Sequence, residues 1–159
     1  MKEKILCVDL KPSPRVKVRV INEHFDDDLT IKSKKKYPFQ LLNDTTVFIV
    51  TSERTLQVEI PKLYVWNGAD IPKTLFWVGQ SKDNNYLIAS MVHDYLLEFK
   101  EVIFKDKGMT VSECRRLTSL VFREILKNQK TNVIKANIMA WAVDAFQATL
   151  NRKQWECLK

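Results

Sequence analysis

Three observations predict an α+β fold, with an N-terminal antiparallel sheet of about five or six strands followed by three to four helices packed on one face. Short β-branched runs fill the first seventy residues, and from about residue 70 the apolar residues recur at helical spacing. The two regimes follow one another without interleaving, which separates this pattern from an alternating α/β chain. At 159 residues and 45% hydrophobic, the chain can bury one sizeable core and is short for two. The expectation is a single domain over residues 1–159, mainly β over 1–67 and mainly α over 70–150.

Lys4 to Leu10 and Arg15 to Ile21 are the first two extended runs, separated by Lys11-Pro-Ser-Pro14. The second alternates apolar with cationic residues, the period of a half-exposed strand. Leu29-Thr-Ile-Lys32, Thr45 to Thr51 and Thr55 to Ile60 continue the series, with Thr51-Ser-Glu-Arg54 as a hairpin turn. Pro61 to Trp66 adds a sixth strand before Asn67-Gly68. Asp70 then caps a short helix over 71–78, since its carboxylate can accept first-turn amides and Pro72 is tolerated there. Further helices are expected over about 84–99, from a Thr110 or Ser112 cap to 128, and over about 131–150. The last carries Val133, Ile134, Ile138, Met139, Trp141, Val143 and Phe146, a stripe broad enough to pack against more than one neighbour.

The formal charge of +7 speaks to association and not to fold. Its densest basic run, Lys32-Ser-Lys34-Lys35-Lys36, sits beside the acidic stretch from Glu23 to Asp28, and no arginine-rich helix or aromatic-studded basic strand accompanies it. Nucleic-acid binding is therefore not favoured. An acidic protein surface is the better match for Arg15, Arg19, Lys32, Lys34, Lys35 and Lys36 on one sheet face. Trp77, beside Phe76, is the tryptophan expected at a partner contact. No apolar run approaches the roughly 20 residues of a membrane span, and the N-terminal residues lack the features of a secretory leader. Cys7, Cys114 and Cys157 are scattered and odd in number, which fits reduced thiols in a cytoplasm.

The chemistry-bearing feature is His93-Asp94, set inside the apolar run from Tyr86 to Leu97. Titratable groups are costly to bury without partners, so this pair is the candidate catalytic site. On a helix the two side chains diverge by roughly 100 degrees, so a metal would need Asp70 from another element and Glu98 one turn beyond. That set could hold a divalent ion and activate water. The alternative is structural: Asp94 accepts from backbone amides or Tyr64, and His93 donates to a strand carbonyl. With three glycines there is no nucleotide-binding loop, and the other histidine, His24, lies far from Cys114 in the chain. No cofactor is expected, with a divalent metal as the one alternative.

Gly68-Ala69-Asp70-Ile71-Pro72, then His93-Asp94-Tyr95-Leu96, then Phe122 with Leu126, then Met139-Ala-Trp-Ala-Val143 with Phe146 resemble a known family. It is the phage and prophage family catalogued as domain of unknown function 1353, whose pattern is similar to G-A-S-I-P, H-D-Y-L, A-D-x-x-F and W-A-V in this order. The resemblance covers about residues 60 to 147. It implies a bacteriophage or prophage origin and brings no established activity. Two positions depart: Asp70 stands where serine is common, and Ser119 stands where a carboxylate precedes Phe122. The second removes an acidic partner for His93 and Asp94 and weakens the metal-dependent hydrolase reading. The balance leans away from an enzyme, toward an accessory protein in the host cytoplasm that binds a host protein or nucleoprotein, with counteraction of a host defence as one role for it. A metal-dependent hydrolase and a minor virion or assembly component are the alternatives.

Overall fold

The computed structural model describes residues 3–11, 16–20, 39–66, 84–149 and 152–158. Among them are six strands: β1 (Ile5–Lys11), β2 (Val18–Val20), β3 (Phe39–Leu41), β4 (Thr45–Thr51), β5 (Thr55–Ile60) and β6 (Val65–Trp66). Four α-helices follow, α1 (Asn84–Glu98), α2 (Lys100–Phe104), α3 (Val111–Asn128) and α4 (Val133–Thr149), and then a 3-10 helix, Arg152–Leu158. The chain is α+β in the predicted order. The predicted strand at 29–32 and the helix at 71–78 with its Asp70 cap lie outside the described residues.

Every described strand pairing is antiparallel, and the strands divide between two three-stranded sheets of order β1-β4-β5 and β2-β3-β6. In β4, Thr45, Val47, Ile49 and Thr51 are buried at alternate positions; β5 buries Leu56, Val58 and Ile60 and exposes Thr55, Gln57 and Glu59. That period of two sends one face of the sheet to the helices. The expected β4–β5 turn is closed by Thr51, whose amide donates to the Arg54 carbonyl at 2.8 Å and whose hydroxyl accepts from the Arg54 amide at 3.0 Å. β3 was not anticipated, because three residues following a proline are too few to display a period. It is nevertheless central: Phe39 pairs with Val20 on one side and Trp66 on the other.

Thr110 is the helix cap. Its hydroxyl accepts from the Glu113 amide, and the Glu113 carboxylate accepts from the Thr110 amide at 2.7 Å. The Thr-x-x-Glu spacing explains the choice over Ser112. These hydrogen bonds hold the Glu113 carboxyl below its ordinary range. α3 is locked to the first sheet by the Asn128 amide donating to the Val8 carbonyl at 2.9 Å. It also packs against α1 and α4, so that Val47, Ile49, Met91, Val92, Val121, Ile125 and Met139 share one core. The broad stripe expected on α4 is only half buried. Ala136, Met139, Ala140, Val143 and Gln147 face inward, whereas Val133, Ile134 and Trp141 are 55%, 69% and 70% exposed. Neighbours cover one side of this helix, so an apolar residue on the other side stays in solvent. No helix among the described residues is long and apolar enough to cross a membrane.

Candidate functional site

The apolar run that carries His93-Asp94 becomes α1, buried between α3 and the β6 region. Trp66 at the end of β6 donates its indole N–H to Ser90 Oγ at 3.1 Å, and Ser90 in turn donates to the Leu87 carbonyl at 2.9 Å. Tyr64 stacks on Trp66 at 6.3 Å and donates its hydroxyl to Glu98 Oε2 at 3.0 Å. β6 and the residue before it are thereby tied to α1 at two points about two turns apart. Between these elements, α4 and the 3-10 helix opens a cleft of about 580 Å3, a size typical of small-ligand sites.

His93 lines this cleft and is 6% exposed. Its ring meets Phe122 edge-on at 5.7 Å, and Nδ1 lies 3.5 Å from Asp94 Oδ1. Nε2 is buried and has no hydrogen-bond partner among the described residues. The two neighbouring side chains therefore lean together, against the divergence expected of adjacent helical positions. The carboxylate beside Nδ1 favours the proton there, which leaves Nε2 of the neutral ring as an acceptor. Two of the expected structural contacts are corrected: among the described residues His93 Nε2 reaches no carbonyl, and the Tyr64 hydroxyl goes to Glu98 and not to Asp94. Burial, with the charges of Glu98 and Asp94 adding to it, raises the Tyr64 phenol above its ordinary value and keeps it a donor.

Of the proposed metal ligands, His93, Asp94 and Glu98 all line the cleft, and Asp70 lies outside the described residues. Among the described residues no three His, Cys, Asp or Glu side chains come together as a metal site. Ser119 is buried, and its hydroxyl donates to the Arg115 carbonyl of its own helix at 3.3 Å, so it supplies nothing to His93. Arg15, Lys32, Lys34, Lys35, Lys36 and Trp77 lie outside the described residues. Arg19 has its backbone in β2 opposite Gln40, with its side chain undescribed.

The sequence reading missed Ser90, Lys100, Glu101 and Gln147 as cleft residues. One signal was available for Glu101: Asp94, Glu98 and Glu101 are spaced i, i+4, i+7, which places them along one helical face. The break at Phe99 between α1 and α2 does not disrupt that alignment, since all three line the cleft. Ser90 and Gln147 carried no such signal, because an isolated polar residue in an apolar helix does not reveal which neighbour it meets. Gln147 is 5% exposed and accepts from the Trp155 indole at 3.3 Å.

Residues 41–143, more than half of the 159-residue chain, match the model of the family described as protein of unknown function (DUF1353). The chain belongs to this family. The match begins in β3, earlier than the resemblance that started near residue 60, and ends in α4. In this family member it therefore includes both β6, which carries Trp66, and α1, which carries His93 and Asp94. No curated protein and no solved structure matches the chain.

The cysteines are free. Cys7 and Cys157 are exposed, the latter in the cleft lining, and Cys114 is on the buried face of α3. Burial, with the Glu113 charge adding to it, pushes the Cys114 thiol from its ordinary 9.0 up to about 11. The folded state thus keeps its proton where the unfolded state has lost it, and between pH 9.0 and about 11 stability falls as pH rises. Urea titrations across that window should show a decline that Cys114→Ala makes shallower. At pH 8, mass spectrometry after brief alkylation should show labels on Cys7 and Cys157 with Cys114 protected.

Proposed function

We propose that the protein is a binding module of phage or prophage origin that acts in the host cytoplasm, using the His93 cleft to engage a host protein. The observation that carries this reading is the buried, unpartnered Nε2 of His93 in the wall of an open cleft. A buried polar atom without a partner costs roughly 1–3 kcal/mol, so a fold retains one more readily where a ligand supplies the missing hydrogen bond. The catalytic alternative is less well supported, since among the described residues no three His, Cys, Asp or Glu side chains come together to hold a metal ion. Attraction of the +7 chain to an acidic surface around the cleft would add a salt-sensitive component to association.

One observation favours a second reading, the metal-dependent hydrolase. A carboxylate against Nδ1 leaves Nε2 free to coordinate, the arrangement by which an outer carboxylate orients a histidine ligand. His93 and Glu98 with Asp70 would be the ligands, and the ion would supply an activated water. A single comparison separates the readings. Thermal unfolding of wild type and Asp94→Asn is followed with zinc, manganese or magnesium, and each protein, with His93→Leu, is used as bait for host proteins. Binding predicts no saturable metal stabilisation and a host protein retained by wild type but released by His93→Leu. Metal stabilisation lost in Asp94→Asn, or equal retention by both baits, would overturn it.

A further inference from the structure

The cleft reverses the charge of the chain that contains it. Over the whole sequence 26 lysines and arginines face 19 acids, yet among the described lining residues three carboxylates, Asp94, Glu98 and Glu101, stand against one ammonium, Lys100. That ammonium is already engaged, donating to the Leu97 carbonyl at 2.9 Å and lying 5.9 Å from the centre of the Trp155 ring.

Hydrogen-bond capacity is biased in the same direction. The strongest neutral donors of the walls are used within the protein: the Tyr64 hydroxyl on Glu98, the Trp66 indole on Ser90, and the Ser90 hydroxyl on the Leu87 carbonyl. His93, a lining residue that is 6% exposed, adds a further acceptor in Nε2, which is buried and has no hydrogen-bond partner among the described residues. A carboxylate or phosphate entering here would meet like charge, with the Gln147 and Gln154 amides as neutral donors of the lining. A group rich in N–H and positively charged would find an acceptor at the buried end, carboxylates along one wall, and the aromatic surfaces of Tyr64, Phe122 and Phe146 for its charge and its alkyl stem.

Resting on the binding reading above, we propose that the cleft takes an alkyl ammonium or guanidinium group, a lysine or arginine side chain of the partner protein, that donates to His93 Nε2 and pairs with Glu98. The partner then presents a basic side chain to the cleft, whatever the charge of the surface around it. A free polyamine carries the same chemistry, and the test separates the two sources.

The intact chain is titrated by calorimetry and by NMR of the His93 ring with blocked tripeptides Gly-X-Gly in which X is Lys, Arg, Gln or Glu, and with spermidine. The Lys or Arg peptide should saturate and shift the His93 resonances, with Gln and Glu peptides silent. Glu98→Gln, an exposed and conservative change whose fold is checked by circular dichroism, should weaken that binding roughly ten- to hundredfold. Saturation by spermidine with no response to the peptides would overturn the side-chain source. A His93 shift with the Gln or Glu peptide in place of the cationic ones would overturn the cation assignment and leave the cleft a binding site. Silence of the His93 ring toward every probe would overturn the cleft as a binding site as well.

Discussion

Trp66→Ala is expected to lower the unfolding free energy by about 3–5 kcal/mol, the range for removing a large buried aromatic. Trp66 is 1% exposed and packs against Phe39 at 5.8 Å and Tyr64 at 6.3 Å. β6 is two residues long and is paired only to β3 among the described strands, so its backbone contributes little to its own placement. The side chain does most of that work: the indole joins β3, β6 and α1, and its N–H fixes Ser90. Removing it opens a cavity and releases the wall that carries Tyr64 toward Glu98. Trp66→Phe keeps much of the packing and loses the hydrogen bond, so it should cost about 1 kcal/mol more than packing alone predicts. Urea unfolding followed by circular dichroism measures both. A loss below about 1 kcal/mol for the alanine variant would show that β6 is held by something other than this side chain.

How far the sequence foretold this arrangement depended on the length of each signal. β4, β5, α1, α3 and α4 each run for six residues or more, long enough to show their period, and each lies where the pattern placed it within a few residues. β3, α2 and the 3-10 helix were not foreseen. Phe39-Gln-Leu is too short to alternate visibly, and α2 is a five-residue continuation of α1 beyond the break at Phe99. The exposure of Trp141 had no signature either, because an apolar residue in an apolar helix reads the same whether or not a neighbour covers it.

For the site, the sequence located the residues and not their partners. His93, Asp94 and Glu98 were found because polar groups stand out in an apolar run, and all three line the cleft. Their connections depend on rotamers and on contacts between distant elements. The Tyr64 hydroxyl could have reached Asp94 or Glu98 as far as helix geometry shows, and only the three-dimensional structure gives it to Glu98. The family match extends over both elements, yet carries no activity from which these connections could be read.

His93→Leu should separate binding from stability more sharply than any other change. A histidine locked to a strand carbonyl would make its removal destabilising by roughly 1–3 kcal/mol. The observed ring makes a different commitment: Nε2 is buried without a partner, Nδ1 has only a 3.5 Å approach to Asp94, and the ring edge lies on Phe122. Leucine of similar bulk removes the unsatisfied atom, keeps apolar contact with Phe122, and leaves Asp94 partly exposed to water. The expected unfolding free energy is within about 1 kcal/mol of wild type, or above it. Binding at the cleft should disappear, since the acceptor at its buried end is gone. His93→Ala would confound the two effects, because truncation adds a cavity cost. A loss of about 3 kcal/mol or more in His93→Leu would mean that the imidazole is a fully bonded structural group. Retained stability with lost binding would mean that α1 tolerates the polar atom for the ligand it receives.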